Sequence, residues 1–199
     1  MSETLWQYIT PGIPDELFDR LPGIPMSKCE TRLLILGQLR LRSDSVLWDI
    51  GAGTGTIPIE VGLLCAKGKI VAIERDEDVA ALMAVNCQKF GVRNVDIKVG
   101  NAPECLQDLV EAPDRICIEG GKSVSDTLEY CWERLTFGGR AIATTNSLEG
   151  LYAISASFAK LQARNVEVVQ SSVNRLETRG SHQVFAAVSP MFIISGEKL

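Results

Sequence analysis

Seven consecutive residues, Asp49-Ile50-Gly51-Ala52-Gly53-Thr54-Gly55, join a carboxylate to three glycines at alternate positions. Glycines so spaced let a backbone turn sharply and come close to a ligand. The next apolar run, Lys69–Glu74 (KIVAIE), ends in a second carboxylate, Glu74, 25 residues after Asp49. An acid about 20 residues beyond a glycine turn, at the tip of the following strand, is placed to grip ribose hydroxyls. Turn and acid together suit a nucleoside-containing ligand. A bare tight turn and a dinucleotide site are the alternatives, and two details weigh against them. Asp49 sits inside the strand before the turn, where a carboxylate can take an ammonium group. The spacing G-x-G-x-G also departs from the dinucleotide G-x-G-x-x-G. Both favour an adenosyl-sulfonium ligand.

The other chemistry-bearing residue types are sparse. The six cysteines (Cys29, Cys65, Cys87, Cys105, Cys117 and Cys131) never fall within four residues of one another, and His182 is the only histidine. No C-x-x-C pair or His/Cys cluster exists, so no protein-bound metal is expected. Apolar neighbours such as Ile116 and Ile118 around Cys117 make the cysteines small buried hydrophobes in a reducing cytosol, which gives a cytoplasmic expectation. No apolar run approaches the ~18–20 residues of a membrane helix. The start of the chain shows no signal-peptide pattern.

The net charge of −5 divides unevenly: residues 101–150 hold 4 basic and 9 acidic groups, residues 151–199 hold 5 and 3. A nucleic-acid binder needs a concentrated basic face, so nucleic acid is not an expected partner. A small anionic ligand held by a few local cations remains allowed.

Positioning these residues falls to alternating strands and helices. Residues 10–25 are rich in proline and glycine and read as an ordered or semi-ordered arm, within an N-terminal arm over 1–25. Ser27-Lys28-Cys29-Glu30 is a capping-box pattern that predicts a helix after Ser27. Strands are predicted over Ser45–Ile50, Lys69–Glu74, Val95–Val99, Arg115–Ile118, Gly139–Thr145, Val166–Asn174 and Gln183–Val188. Helices are predicted over Ile57–Ala66, Glu77–Phe90, Pro103–Val110, Ser123–Leu135 (with Ser123-Val124-Ser125-Asp126 as a second capping pattern) and Leu148–Gln162. Crossover helices between short apolar strands imply an α/β, doubly wound, seven-stranded and mostly parallel sheet in one 199-residue domain. The last two strands lack a helix between them and are expected to form an antiparallel C-terminal edge hairpin. The apolar run Val184–Ile194 on such an edge would invite pairing with another chain, so a homo-oligomer is expected.

From about Ser45 to Thr145 the sequence resembles the class I S-adenosylmethionine-dependent methyltransferases, whose fold is Rossmann-like. The resemblance rests on Asp49-Ile50-Gly51-Ala52-Gly53-Thr54-Gly55, on Glu74, on Gly100-Asn101-Ala102 after the third strand, and on Leu135-Thr136-Phe137-Gly138-Gly139-Arg140 before the fifth. It implies S-adenosylmethionine as co-substrate, held by Asp49, the turn from Gly51 to Gly55, Glu74, Asn101 and Ala102. The family commonly has Gly-Asp-Ala where this chain has Asn101, whose amide oxygen can accept the same adenine hydrogen bond without a charge. The Asn/Asp-Pro-Pro-aromatic motif of amine methylation is missing after the fourth strand, which runs Asp114-Arg115-Ile116-Cys117-Ile118-Glu119-Gly120-Gly121.

Three flanking segments are similar to one subfamily, the decarboxylating precorrin-6B (or cobalt-precorrin-6B) C15-methyltransferases of cobalamin biosynthesis. They are Gly23-Ile24-Pro25-Met26-Ser27-Lys28-Cys29-Glu30-Thr31-Arg32, Glu119-Gly120-Gly121, and Ser189-Pro190-Met191-Phe192-Ile193-Ile194-Ser195-Gly196. The resemblance implies an anionic corrinoid substrate, methylation at C15 with loss of carboxylate from an acetate arm, and a homotetramer, and it leaves open a C5-methyltransferase partner in trans. It also gives Ser27 a cofactor contact besides its cap. Glu119 is either a solvated loop acid or a catalytic group that moves a proton near the transferred methyl. Lys28, Arg32, Lys122, Arg175, Arg179 and His182 are candidates for the substrate carboxylates, with Arg175, Arg179 and His182 gathered in the loop joining the edge strands. Another small-molecule or rRNA S-adenosylmethionine-dependent methyltransferase is the alternative reading.

Overall fold

A computed structural model describes residues 5–120 and 123–199. Five strands, β1 (Val46–Ile50), β2 (Lys69–Glu74), β3 (Val95–Val99), β4 (Arg115–Glu119) and β5 (Arg140–Thr145), pair in parallel. With β6 (Arg164–Ser171) and β9 (Met191–Glu197) they form a seven-stranded sheet of order β3-β2-β1-β4-β5-β9-β6. Helices α1 (Cys29–Leu39), α2 (Thr56–Leu64), α3 (Glu77–Lys89), α4 (Val124–Arg134) and α5 (Leu148–Lys160) lie on both faces. The order reverses between β1 and β4, so the crevice at their carboxyl ends is where a ligand site belongs.

Burial on both faces explains the near-continuous apolar strands. Trp48, Ile50, Ile116 and Ile118 pack with Leu128, Trp132, Ile154 and Phe158 from α4 and α5. Leu47, Cys117, Ile142 and Ile193 pack with Ile35, Leu39, Ile57 and Val61 from α1 and α2. The arm is ordered: Ile13 and Phe18 join Ile59, Met83 and Phe90 in a third cluster.

Several expectations need correction. Ser27 does not cap α1. Lys28 holds the cap position, and the Cys29 N–H is met by Asp15 Oδ1 at 2.9 Å, a carboxylate supplied by the arm. Ser123 likewise makes no side-chain cap bond, whereas Asp76 (to Asp78 and Val79 N–H) and Ser147 (to Gly150 N–H) cap α3 and α5. The predicted helix over 103–110 shrinks to a 3-10 turn at Glu104–Leu106, because Leu106 alone of that segment is fully buried and a longer helix would have no face to cover.

The C-terminal topology also differs. The partner of β6 is β9, which runs antiparallel between β5 and β6. The segment predicted as the last strand belongs instead to β7 (Asn174–Arg179) and β8 (His182–Ala187), a separate two-stranded ribbon. Ser171 closes β6 by accepting a hydrogen bond from Met191 N–H, and the chain then leaves the sheet. Ile193 and Ile194 are therefore buried within the sheet, not exposed on an edge.

Candidate active site

The glycine turn leaves the end of β1 and is tied to β2 by hydrogen bonds from Gly51 and Ala52 N–H to the Ile73 carbonyl, at 2.9 and 3.0 Å. Gly51 has φ +79°, and a Cβ there would stand 2.7 Å from the Glu119 carbonyl oxygen. Gly55 has φ +87°, and its Cβ would strike Met83 Cγ at 2.5 Å. Two of the three glycines are thus dictated by both backbone conformation and a close neighbour. Gly53 N–H donates to Glu74 Oε2 at 3.0 Å, while Glu74 Oε1 accepts from Arg75 and Asp76 N–H. The acid at the tip of β2 is locked against the turn, with acceptor capacity left over.

In front of the turn lies a cavity of about 1050 Å³. Its walls are the turn (Gly51–Thr54), the arm (Arg20 and Ile24–Lys28), Glu119 and Gly120, the end of β5 with the start of α5, and the ribbon (Arg175, Glu177, Ala186, Ala187). Of the predicted site residues, the structure brings Ser27, Lys28, Gly51, Ala52, Gly53, Thr54, Glu119 and Arg175 to this cavity.

Asp49 lies behind the turn, fully buried, and neither carboxylate oxygen has a hydrogen-bond partner. The Thr54 hydroxyl, within the turn itself, is also buried and unpartnered. Register pairs Asp49 with Cys117, and side chains alternate along a strand, so Asp49, Cys117 and Glu119 share one face of the sheet. Burial pushes the Asp49 carboxyl well above the usual aspartate range, the Glu119 carboxylate adds to the rise, and the Cys117 thiol partly offsets it. Glu119 is half-buried at the end of β4, and Ser27 Oγ donates to its Oε2. Burial raises the Glu119 carboxyl to about 7, against the lowering effects of the Ser27 hydrogen bond and the Arg32 charge.

Arg32 is fully buried and committed to structure. Its guanidinium meets Glu60 at 2.9 Å and Asp15 at 2.7 Å, and donates to the Ser27 and Ile13 carbonyls. This corrects its place among the substrate cations. The same Asp15 binds Arg175 at 3.0 Å, and Arg175 also forks onto both oxygens of Glu30 at 2.8 and 2.6 Å. Burial raises the Asp15 pKa, but the two arginines outweigh it and hold the group below the ordinary carboxylate value. The ribbon is thereby pinned to the arm.

Arg179 and His182 stand opposite each other at the exposed end of the ribbon, outside the cavity walls, and on strands rather than in a loop. Asn101 is exposed beyond β3 and Ala102 packs half-buried against the core; neither lines the cavity. Lys122 lies outside the described residues. Among the described residues no group of His, Cys, Asp and Glu could hold a metal ion. The sequence reading missed Arg20, for which the Pro/Gly-rich arm offers no local signal, and Thr144–Ser147. That second segment was findable, because it leaves the carboxyl end of β5, where ligands bind in open sheets.

Comparison with known proteins agrees with this geometry. Residues 22–198 match a family model described as a precorrin methyltransferase domain. The cobalt-precorrin-6B C(15)-methyltransferase (decarboxylating) of Salmonella typhimurium is 32% identical over 92% of this chain and 95% of that protein. A Pyrobaculum calidifontis protein bearing that name with the qualifier "probable" is 38% identical over 96% of this chain and 97% of its own. The crystal structure of precorrin-6y C5,15-methyltransferase from Geobacter metallireducens superposes with a TM-score of 0.88 at 31% identity, covering 94% of this chain and 98% of that one. Sheet order, glycine turn and near-complete family match converge: the chain belongs to the precorrin methyltransferase family.

Proposed function

We propose that the protein transfers a methyl group from S-adenosylmethionine to C15 of a (cobalt-)precorrin-6B-type corrinoid and removes carboxylate from the acetate arm at C12, in cobalamin biosynthesis. The observation that carries this reading is the cavity. At about 1050 Å³ it is at the upper end for a single small ligand, so it has room for a nucleoside co-substrate beside part of a macrocycle.

The residues fit the co-substrate. Two orphaned polar groups, the Asp49 carboxylate and the Thr54 hydroxyl, flank a glycine turn that opens on the cavity. Gly51–Gly55 and Ser27 would hold the methionine portion, with Asp49 behind them favouring a positive group. Glu74 would hold the ribose. The co-substrate supplies an electrophilic methyl. The protein binds and orients the two reactants, which can lower a barrier substantially without any nucleophile of its own.

Cations at the cavity suit the corrinoid's carboxylates. Among the described residues Arg20 forms no ion pair, and Lys28 reaches Asp15 only at 4.0 Å. Arg175 is already engaged by Asp15 and Glu30, so it would serve by exchanging one partner for a substrate carboxylate.

A homotetramer fits the ribbon. A two-stranded sheet is marginal alone in water, and its cross-strand pair Leu176 and Phe185 is 55% and 75% exposed. The free state of all six cysteines fits a cytoplasmic site. Incubation with precorrin-6B, with and without cobalt, and labelled S-adenosylmethionine tests the function. A product that has gained the label and lost a carboxyl group is expected, and an unchanged macrocycle would refute the reading.

A further inference from the structure

Resting on that reading, the reaction has a proton balance. Methylation of a bridging CH carbon forms a carbon–carbon bond with the macrocycle's electron pair, while the sulfur–methyl bond breaks with its pair going to sulfur. Restoring conjugation then releases the proton of the bridging carbon. Loss of CO2 breaks the bond between the acetate CH2 and its carboxylate, and the pair left on that carbon takes one proton to become a methyl group. One proton leaves and one enters, so a single group able to accept and donate closes the balance.

We propose that Glu119 is this group, a catalytic acid–base at the floor of the cavity, and that Ser27 is its positioning residue. Three cavity-lining carboxylates could compete for the task. Glu149 is solvent-exposed in the first turn of α5, and Glu177 is half exposed and paired with Arg179. Glu119 alone of the three is half-buried and backs directly onto the glycine turn, its carbonyl against Gly51.

The partner of Glu119 also matters. Among the described residues no cation pairs with it. Arg32, whose charge acts on it, is held by Asp15, Glu60 and two carbonyls. Its hydrogen-bond partner is a hydroxyl, which can donate to a carboxylate and rotate to accept from a carboxyl. The bond therefore survives a change of protonation, as a proton carrier needs. Asp49 and the Cys117 thiol face Glu119 from the same side of the sheet, and Arg20, Lys28, Arg175, Glu149 and Glu177 face the cavity from the arm, ribbon and α5. Two carboxylates sharing one buried site resist joint ionisation, which keeps a proton available near neutrality.

The test compares wild type, Glu119→Gln, Glu119→Asp and Ser27→Ala by adenosylmethionine calorimetry, product mass and the pH profile of turnover. Glu119→Gln is expected to bind adenosylmethionine within about threefold of wild type yet lose ~100-fold or more in full conversion, accumulating product changed at one position only. Wild type should show a limb near pH 7 that Glu119→Gln abolishes and Glu119→Asp moves. A limb falling on the acid side means the methyl step comes first; one falling on the alkaline side means decarboxylation does. Ser27→Ala should weaken adenosylmethionine binding and, at saturating adenosylmethionine, shift the limb without abolishing it. Glu119→Gln turning over like wild type with an unchanged profile would overturn the inference alone. Wild type that binds adenosylmethionine but leaves the corrinoid untouched would overturn the functional reading as well.

Discussion

Ser27 Oγ donates a hydrogen bond to Glu119 Oε2 across 92 residues of sequence, joining the arm to the carboxyl end of β4. The hydroxyl expected to cap a helix instead holds the one half-buried carboxylate of the cavity wall. The arm can make that contact because its own position is set by the buried Arg32.

Arg32 should therefore be costly to remove. Arg32→Ala leaves Glu60 buried without a counter-charge and Asp15 with only Arg175 and the more distant Lys28, and breaking such a pair typically costs about 3–5 kcal/mol. Urea unfolding of Arg32→Ala and Glu60→Gln checks this.

Two glycines with similar backbones should respond differently to alanine. Gly120 has φ +72° and, among the described residues, nothing within 4 Å of a new Cβ, so Gly120→Ala should cost about 1–2 kcal/mol for the left-handed backbone alone. Gly51→Ala adds a contact at 2.7 Å with the Glu119 carbonyl, whose backbone cannot swing away. It should cost more, about 3 kcal/mol, and abolish adenosylmethionine binding. Thermal unfolding and calorimetry on both variants measure the difference.

Stability should fall as pH rises through neutrality. The Glu119 carboxyl titrates at about 7 in the folded protein against 4.5 ordinarily, so its contribution is complete below 4.5 and lost as pH rises through about 7. Asp49 is shifted in the same direction. Between about pH 5 and pH 8 the unfolding temperature of wild type should drop more than that of Glu119→Gln. Asp15 and Glu30 are shifted downward, so their contribution is present above the ordinary carboxylate range and lost on acidification below it.

Corrinoid binding should separate the cavity cations from those at the ribbon tip. Arg20→Ala and Lys28→Ala each remove a cation from the cavity wall and should weaken corrinoid binding about tenfold, the worth of roughly 1.4 kcal/mol. Adenosylmethionine binding should stay unchanged. Arg179→Ala, at an exposed position paired with Glu177, should leave both affinities intact in the isolated subunit. Titrations by fluorescence and calorimetry would show it, and equal loss of both ligands would mean a folding defect.

The sequence by itself determined the local grammar of this protein. Strands β1 to β5, helices α2 to α5, the turn Gly51–Gly55 and the acid Glu74 at the end of β2 follow from short-range periodicity and backbone sterics, and the structure keeps them with boundaries moved by a residue or two. What only the tertiary structure decided is which distant groups meet. A capping box is a local competitor for one helix N–H, and Asp15, brought in by the arm, won that competition and released Ser27 for Glu119. Arg32 was a candidate for the substrate carboxylates until two carboxylates from the arm and α2 closed around it. The last strand ran into the sheet rather than along its edge because Ile193 and Ile194 gain burial on both faces there. Each outcome turns on a long-range partner that no local pattern encodes, and the free energy of desolvated charge and buried apolar surface chose among them.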